Sequence, residues 1–338
     1  MDKLAKRFNV ENKGIFPYYL SDLDCKVSFP EYKYFDNKKV SLELYEKVKL
    51  EYFRENKEWN FKDEAIKYCE QDCRSLHQTL SKYNELFFSN FKINIHKYPT
   101  SSSLAFANYR TNFMKEENIA NITGKVYRDI KLSYTGGATD MYIPYPPVGA
   151  KIHAYDVNSL YPFVMLDNDY PTGNPTYFEG NILNNCNTLN MGNNFYYRDK
   201  PFGFFYGKII APENLLHPIL QIHHKTSEGL RTVAPLGSFE GMFFSEELYN
   251  AEKYGYKFEI LWGYVFDKGK IFNDYVETMY NFRLKYPKTD PMNLISKIHL
   301  NSLYGRFGMK DLFEDIVIFV CKAGKKMIIN YMKIIILY

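Results

Sequence analysis

Apolar and polar positions follow two rhythms along the chain, and the places where the rhythm changes mark its organisation. Over 61–88 the apolar residues recur at helical spacing. Tyr68, Leu76, Leu80, Tyr83 and Phe87 share one face with Asp72, Asn60 can cap the start, and Asp63 and Glu64 suit the first turn. The same spacing predicts helices over 245–254 and over 271–286, where Pro287 stops the second. A further helix runs from Pro291, with Asp290 as cap, to Gly305 as a left-handed terminator. Alternation with a period of two predicts strands over 151–157, 204–210 and 258–266. In the first strand Ile152, Ala154 and Asp156 fall on one face, and His153, Tyr155 and Val157 on the other. Asn158 or Ser159 can then cap a short helix, with Pro162 in its first turn and 163–166 in its body. These elements mix helices with strands along the chain.

Two places in this pattern carry chemistry. Asp156 stands where a strand ends and a helix begins, in the string Asp156-Val157-Asn158-Ser159-Leu160-Tyr161-Pro162. A carboxylate there can hold a metal ion while free backbone N–H groups of the helix hold phosphate oxygens, which suits a metal–triphosphate. The second place is the helix string Lys297-Ile298-His299-Leu300-Asn301-Ser302-Leu303-Tyr304-Gly305. Lys297, Asn301 and Tyr304 are spaced i, i+4 and i+7, so they form one stripe, while Leu300 and Leu303 serve the packed side. An ammonium, an amide and a phenol ring on one stripe can meet a phosphate, a base edge and a base or sugar face. Six cations (Arg283, Lys285, Lys288, Lys297, Arg306, Lys310) against the single acid Asp290 give this segment the charge a phosphate surface needs.

Taken together, the two strings resemble the nucleotide-binding motifs of family B DNA polymerases in their protein-primed, organellar and viral branch. Three weaker features fall in matching order. Tyr68-x-x-x-Asp72 resembles the third motif of the family's 3′–5′ exonuclease, in which the Asp binds metal and the Tyr orients water. Tyr134-Thr135-Gly136-Gly137 resembles the linker motif that contacts DNA, with adjacent glycines that permit close backbone approach to a phosphate strand. The Gly/Asn/Pro-punctuated stretch 167–235 matches an insertion that holds the priming terminal protein.

The resemblance implies an α+β assembly, with the C-terminal part of an RNase H-like exonuclease over 1–95 and a linker over 96–150. A partial palm with insertion and fingers follows over 151–310, and 311–338 forms a divergent tail. It implies nucleotidyl transfer from a dNTP to a primer hydroxyl on a DNA template, assisted by two Mg²⁺ ions. Carried onto this chain, Asp156 binds metal, Tyr161 packs under the sugar, and Ser159 and Leu160 belong to the same nucleotide-binding string. Arg283 and Lys297 hold phosphates, Asn301 and Tyr304 meet the nascent pair, and Gly305 lies on the template side. Tyr134, Gly136 and Gly137 contact DNA. The second catalytic carboxylate, in an Asp-Thr-Asp string, is not found, and the Asp-x-Glu pair of the exonuclease is also missing, so Asp72 alone builds no two-metal site. A truncated, catalytically incompetent polymerase is the expectation. A non-catalytic nucleic-acid-binding remnant and one half of a split enzyme completed in trans are the alternatives.

Composition adds little to this. The chain has 338 residues, enough for two or three domains, and a formal charge of +4, so nucleic-acid binding must rely on local patches. Its 31 Tyr and 27 Phe match the bias of an AT-rich coding sequence, which together with the family suggests a mitochondrial, organelle-encoded protein. The five cysteines form no C-x-x-C pair and read as free thiols; Cys69 and Cys73 share a helix face, and His223-His224 is an isolated surface pair. No apolar run reaches membrane-spanning length, and no targeting segment opens the chain. The apolar text of 311–338 is strand-like and lies beyond the last family motif, as either native divergence or, the preferred reading, a change of reading frame in an AT-rich gene would produce.

Overall fold

The computed structural model describes residues 2–10, 14–20, 25–55, 58–114, 119–185, 188–191, 194–197, 200–227, 229–309, 313–323 and 326–336. Lys310 and Cys186 lie outside them. Internal contacts divide the chain into two units, one formed by 1–112 with 277–306 and the other by 113–276 with 307–338.

The first unit is helical. A short helix α1 (Asp2–Arg7) precedes strand β1 (Lys26–Val27), helix α2 (Leu42–Arg54), strand β2 (Trp59–Asn60), the long helix α3 (Phe61–Phe91) and helix α4 (Ser101–Asn112). β1 and β2 pair antiparallel, Lys26 opposite Asn60 and Val27 opposite Trp59. The Asn60 side chain caps α3 as its sequence predicts, accepting from the Asp63 N–H at 3.2 Å. The helix runs on to Phe91, and Lys92, in the left-handed region at φ 60°, closes it.

The buried face of α3 differs from the expected one in its N-terminal half. Ser75, Thr79, Tyr83, Phe87 and Phe91 are buried, whereas Leu76 is exposed. The buried residues follow an i, i+4 row, along which a neighbouring helix packs obliquely to the axis. Small side chains are tolerated in that row because Thr79 Oγ1 satisfies itself by donating to the Ser75 carbonyl at 2.7 Å.

The second unit contains helix α5 (Gly124–Lys131), helix α6 (Leu160–Asp167) and strand β3 (Tyr170–Glu179), followed by hairpin strands β4 (Thr188–Met191) and β5 (Asn194–Tyr197). Strand β6 (Gly203–Ala211), hairpin strands β7 (Ile222–Thr226) and β8 (Gly229–Val233), strand β9 (Gly237–Phe244), helix α7 (Ser245–Glu252) and strand β10 (Lys257–Gly269) come next. β3, β10, β6 and β9 form one antiparallel sheet in that order. On its inner face Phe205, Ile209, Ala211, Phe243 and Ile260 pack with Leu248, Tyr249 and Ala251 of α7. Strand alternation explains the division: Phe205, Ile209 and Ala211 of β6 face the core, while Phe204, Tyr206, Lys208 and Ile210 face outward. Gly203 permits the close approach of β10, since a Cβ there would collide with the Tyr264 carbonyl.

Two helices complete the fold: α8 (Asn273–Lys285) and α9 (Pro291–Phe307). The turn between them is closed by Asn293, whose amide donates to the carbonyls of Arg283 at 2.9 Å and Tyr286 at 3.0 Å. After α9, strands β11 (Phe313–Ala323) and β12 (Lys326–Ile336) pair with each other as an antiparallel hairpin, so the strand-like character of the tail is realised. Among the described residues no helix is long and apolar enough to cross a membrane.

Candidate nucleotide and nucleic-acid site

Residues 151–157 are exposed, and no strand forms there. The alternation in the sequence is real, but a strand needs a neighbour to satisfy its N–H and C=O groups, and no described strand pairs with this segment. Asp156 is accordingly an exposed carboxylate outside any strand or helix. Ser159 holds the position before α6, as expected, yet its side chain does not cap the helix; its backbone is left-handed, at φ 53° and ψ 44°. A non-glycine residue there carries strain of about 1–2 kcal/mol. Ser159→Gly is therefore expected to raise stability by about 0.5–1 kcal/mol, less than the full strain because glycine also loosens the unfolded chain; the denaturant midpoint measures it. Pro162 and Met165 anchor α6 by their burial, while Leu160 and Tyr161 face solvent. Tyr161 Oη sits 3.7 Å from where a Gly137 Cβ would lie, so the fold brings Tyr161 next to Gly137.

The helix stripe is borne by α9. Asp290 Oδ1 accepts from the Met292 N–H at 2.7 Å, and Pro291 occupies the first turn. Lys297 and Asn301 are exposed and Tyr304 is half-buried, while Met292, Ile295, Leu300 and Leu303 are buried on the other side. Gly305 does not end the helix. It lies within α9, outside the left-handed region, and a Cβ there would meet only Ser102 Oγ, at 3.8 Å. The residues beyond it hold the last turn: Arg306 lies 5.9 Å over the Phe106 ring, and the Phe307 and Phe272 rings are 5.6 Å apart. Those contacts outweigh the helix cost of one glycine, about 1 kcal/mol. Arg283 is half-buried near the C-terminal end of α8. Asp156 belongs to one unit, and Lys297, Asn301, Tyr304 and Arg283 to the other.

The back of α9 carries a residue that its sequence did not single out. His299 is wholly buried, with Nε2 3.1 Å from Tyr83 Oη of α3 and its ring centroid 4.7 Å from that of Phe87. Burial pushes its pKa down to about 3, so the imidazole is neutral at neutral pH. Phe91 and Phe282 make a second contact between α3 and the helix pair, edge to face at 5.6 Å.

Tyr68 and Asp72 sit on α3 beside Phe16 and Tyr18. The Tyr68 ring stacks on Phe16 at 5.1 Å, and its hydroxyl is hydrogen-bonded to that of Tyr18. Asp72 is half-buried, with Oδ1 closed off from solvent. No described group of three or more His, Cys, Asp or Glu side chains is arranged to hold a metal ion. The donors present thus do not by themselves fit a two-ion site around Asp156 or around Asp72.

The linker is tied down on several sides. Tyr264 Oη donates to Asp129 Oδ2 at 2.7 Å and pins α5 to the sheet. Lys131 Nζ lies 5.3 Å over the Tyr134 ring and donates to the Met309 carbonyl at 3.5 Å. Gly308 is packed against the same phenol, where any Cβ would collide with it. His223 Nε2 meets the Tyr134 carbonyl at 2.8 Å. Nothing in the sequence marked His223 or Gly308 as neighbours of Tyr134, because each is distant from it along the chain.

The exposed Lys/Asn/Tyr stripe, the exposed Asp156 string and the Tyr-x-Gly-Gly string stand in a mixed helix and sheet fold, the class to which DNA polymerases of type B belong. Residues 1–333 match the family model described as DNA polymerase type B, organellar and viral, so the match extends past Lys310, where the resemblance of the motifs alone gave out. The chain belongs to this family. It is 39% identical over 327 residues to a probable DNA polymerase of Neurospora intermedia, covering 94% of this chain and 33% of that protein. It is also 39% identical over 319 residues to a probable DNA polymerase of Ascobolus immersus, covering 91% and 25%. The chain thus spans only about a quarter to a third of these relatives. Among solved structures it resembles phi29 DNA polymerase complexed with primer-template DNA and incoming nucleotide, with a TM-score of 0.59 at 18% identity, over 98% of this chain and 50% of that one. The α+β fold is thus that of half of phi29 DNA polymerase.

Proposed function

We propose that the chain supplies the nucleotide- and DNA-binding middle of a protein-primed DNA-directed DNA polymerase. In that reaction the primer hydroxyl attacks the α-phosphate of a dNTP and pyrophosphate leaves. The observation that carries this assignment is the α9 stripe, where exposed Lys297 and Asn301 and half-buried Tyr304 stand over a helix back sealed by Leu300, Leu303 and His299. Lys297 and Arg283 would hold phosphates, Asn301 and Tyr304 the nascent pair, and Tyr161 the sugar, where it excludes ribonucleotides. Tyr134, Gly136, Gly137 and Gly305 would follow the DNA. Asp156 offers one carboxylate to divalent metal, Mg²⁺ in the first instance, and a complete site requires further carboxylates from outside the described residues.

On this assignment the chain is catalytically incomplete by itself, and the segment over 151–157 is ready to pair with a strand bearing the second carboxylate. Its exposed alternating side chains and its lack of a described strand partner support this over a remnant that only binds nucleic acid. The insertion over 167–235 would seat the priming terminal protein, and organelle encoding fits the branch. The test is primer extension by purified 1–338 with Mg²⁺ or Mn²⁺. No extension is expected, while a primer-template duplex is still bound. Extension abolished by Asp156→Ala would overturn the incompleteness, and failure to bind the duplex would overturn the assignment.

A further inference from the structure

We propose that His223, on the insertion hairpin β7–β8, is a positioning residue that sets the linker backbone of Tyr134-x-Gly-Gly for its grip on DNA. This inference rests on the proposed assignment of the linker as a DNA contact. The Tyr134 carbonyl can only accept, so the 2.8 Å contact fixes a proton on His223 Nε2. Nδ1 then accepts from Thr232 Oγ1 at 3.4 Å, across the hairpin, where His223 and Thr232 are directly paired. Thr232 therefore orients the ring that orients the linker.

The Tyr134 side chain is held independently, by Lys131 over its ring and by the space that Gly308 leaves for it. The Tyr134 N–H donates to the Lys131 carbonyl at 3.1 Å, and the imidazole holds the Tyr134 carbonyl, on the side of the residue from which Gly136 and Gly137 follow. Those glycines are exposed and have no Cβ to hold a phosphate strand away, so their value as a contact depends on where the preceding carbonyl is fixed. The geometry thus couples the insertion to DNA affinity through one hydrogen bond, with no need for the hairpin itself to touch the duplex.

The experiment is a fluorescence-anisotropy titration of a primer-template duplex with the full 1–338 chain, read beside amide hydrogen exchange over 133–137. Loss of a net hydrogen bond of ordinary strength corresponds to about five-fold. His223→Ala is expected to weaken binding about five-fold and to speed exchange at Gly136 and Gly137, with an unchanged thermal midpoint. His223→Gln, whose amide can still donate to the carbonyl, should restore both. Thr232→Val, which keeps the hairpin's shape, should weaken binding by about two-fold, and it serves as the second variant if His223→Ala does not fold. Gly136→Val with Gly137→Val tests the linker assignment separately. If the glycine variant weakens binding while His223→Ala and Thr232→Val do not, the positioning role is wrong and the linker assignment stands. If none of them weakens binding, both are wrong. Weakening by His223→Ala that Gln does not rescue would also overturn the proposal.

Discussion

Acidification from about pH 7 to about pH 5 is expected to cost the fold about 2 kcal/mol through His299 alone. His299 is neutral in the folded chain because burial holds its pKa near 3, against 6.5 for an ordinary histidine. Below 6.5 the unfolded chain takes up a proton that the folded chain refuses, so the unfolded state gains. The stabilising contribution is complete above 6.5 and is lost progressively as pH falls from there towards 3. The other six histidines are exposed or half-exposed, which makes His299 the dominant source of this slope among them. Urea denaturation at the two pH values measures it, and His299→Leu should flatten it. That substitution also takes the partner from the buried Tyr83 hydroxyl, at a cost of about 1–3 kcal/mol at neutral pH. Adding Tyr83→Phe should recover most of the cost. A pH slope that survives in His299→Leu would place its origin elsewhere.

Lys297→Ala is expected to weaken dNTP binding about ten-fold, the order of one charge-assisted hydrogen bond. It should also lower the salt slope of DNA binding by about one, since one phosphate contact releases roughly one counterion. Lys288→Ala, which removes an exposed cation from the turn before α9, should change either quantity by less than about two-fold. Equal losses in the two variants would mean a diffuse basic surface, with no defined phosphate site. Because Lys297 is exposed and makes no part of the packed side of α9, neither loss should be accompanied by unfolding.

The two outcomes depend on opposite sides of one helix, and these sides differed in how far they could be read from sequence. The stripe of Lys297, Asn301 and Tyr304 follows from spacing alone, because helical geometry fixes which residues share a face. Asn60 and Asp290 were legible as caps for a similar reason: each satisfies N–H groups two or three residues away. The Tyr83–His299 hydrogen bond was not legible, because it joins residues more than two hundred positions apart. Tyr134 was equally illegible as a neighbour of His223 and Gly308, because both lie far from it along the chain, His223 at 89 positions.

Two errors arose where a local rule met a non-local competitor. Gly305 is a reasonable helix terminator by propensity, yet Arg306 and Phe307 find ring partners on Phe106 and Phe272, and the helix continues. The alternation over 151–157 is a strand pattern, but strands are completed only by neighbours, and none of the described strands supplies one.

The sequence by itself determined the long helices with their caps, the motif strings and the polymerase family they resemble. All of these rest on residue type and on spacing within one element. Tertiary structure alone decided which side of α3 is buried, how the back of α9 is sealed, that Tyr161 approaches Gly137, and that the Tyr134 carbonyl is held by the β7–β8 hairpin. These facts depend on which distant segments meet. Packing and hydrogen bonding settle that choice over the whole chain at once, so no window of sequence contains it.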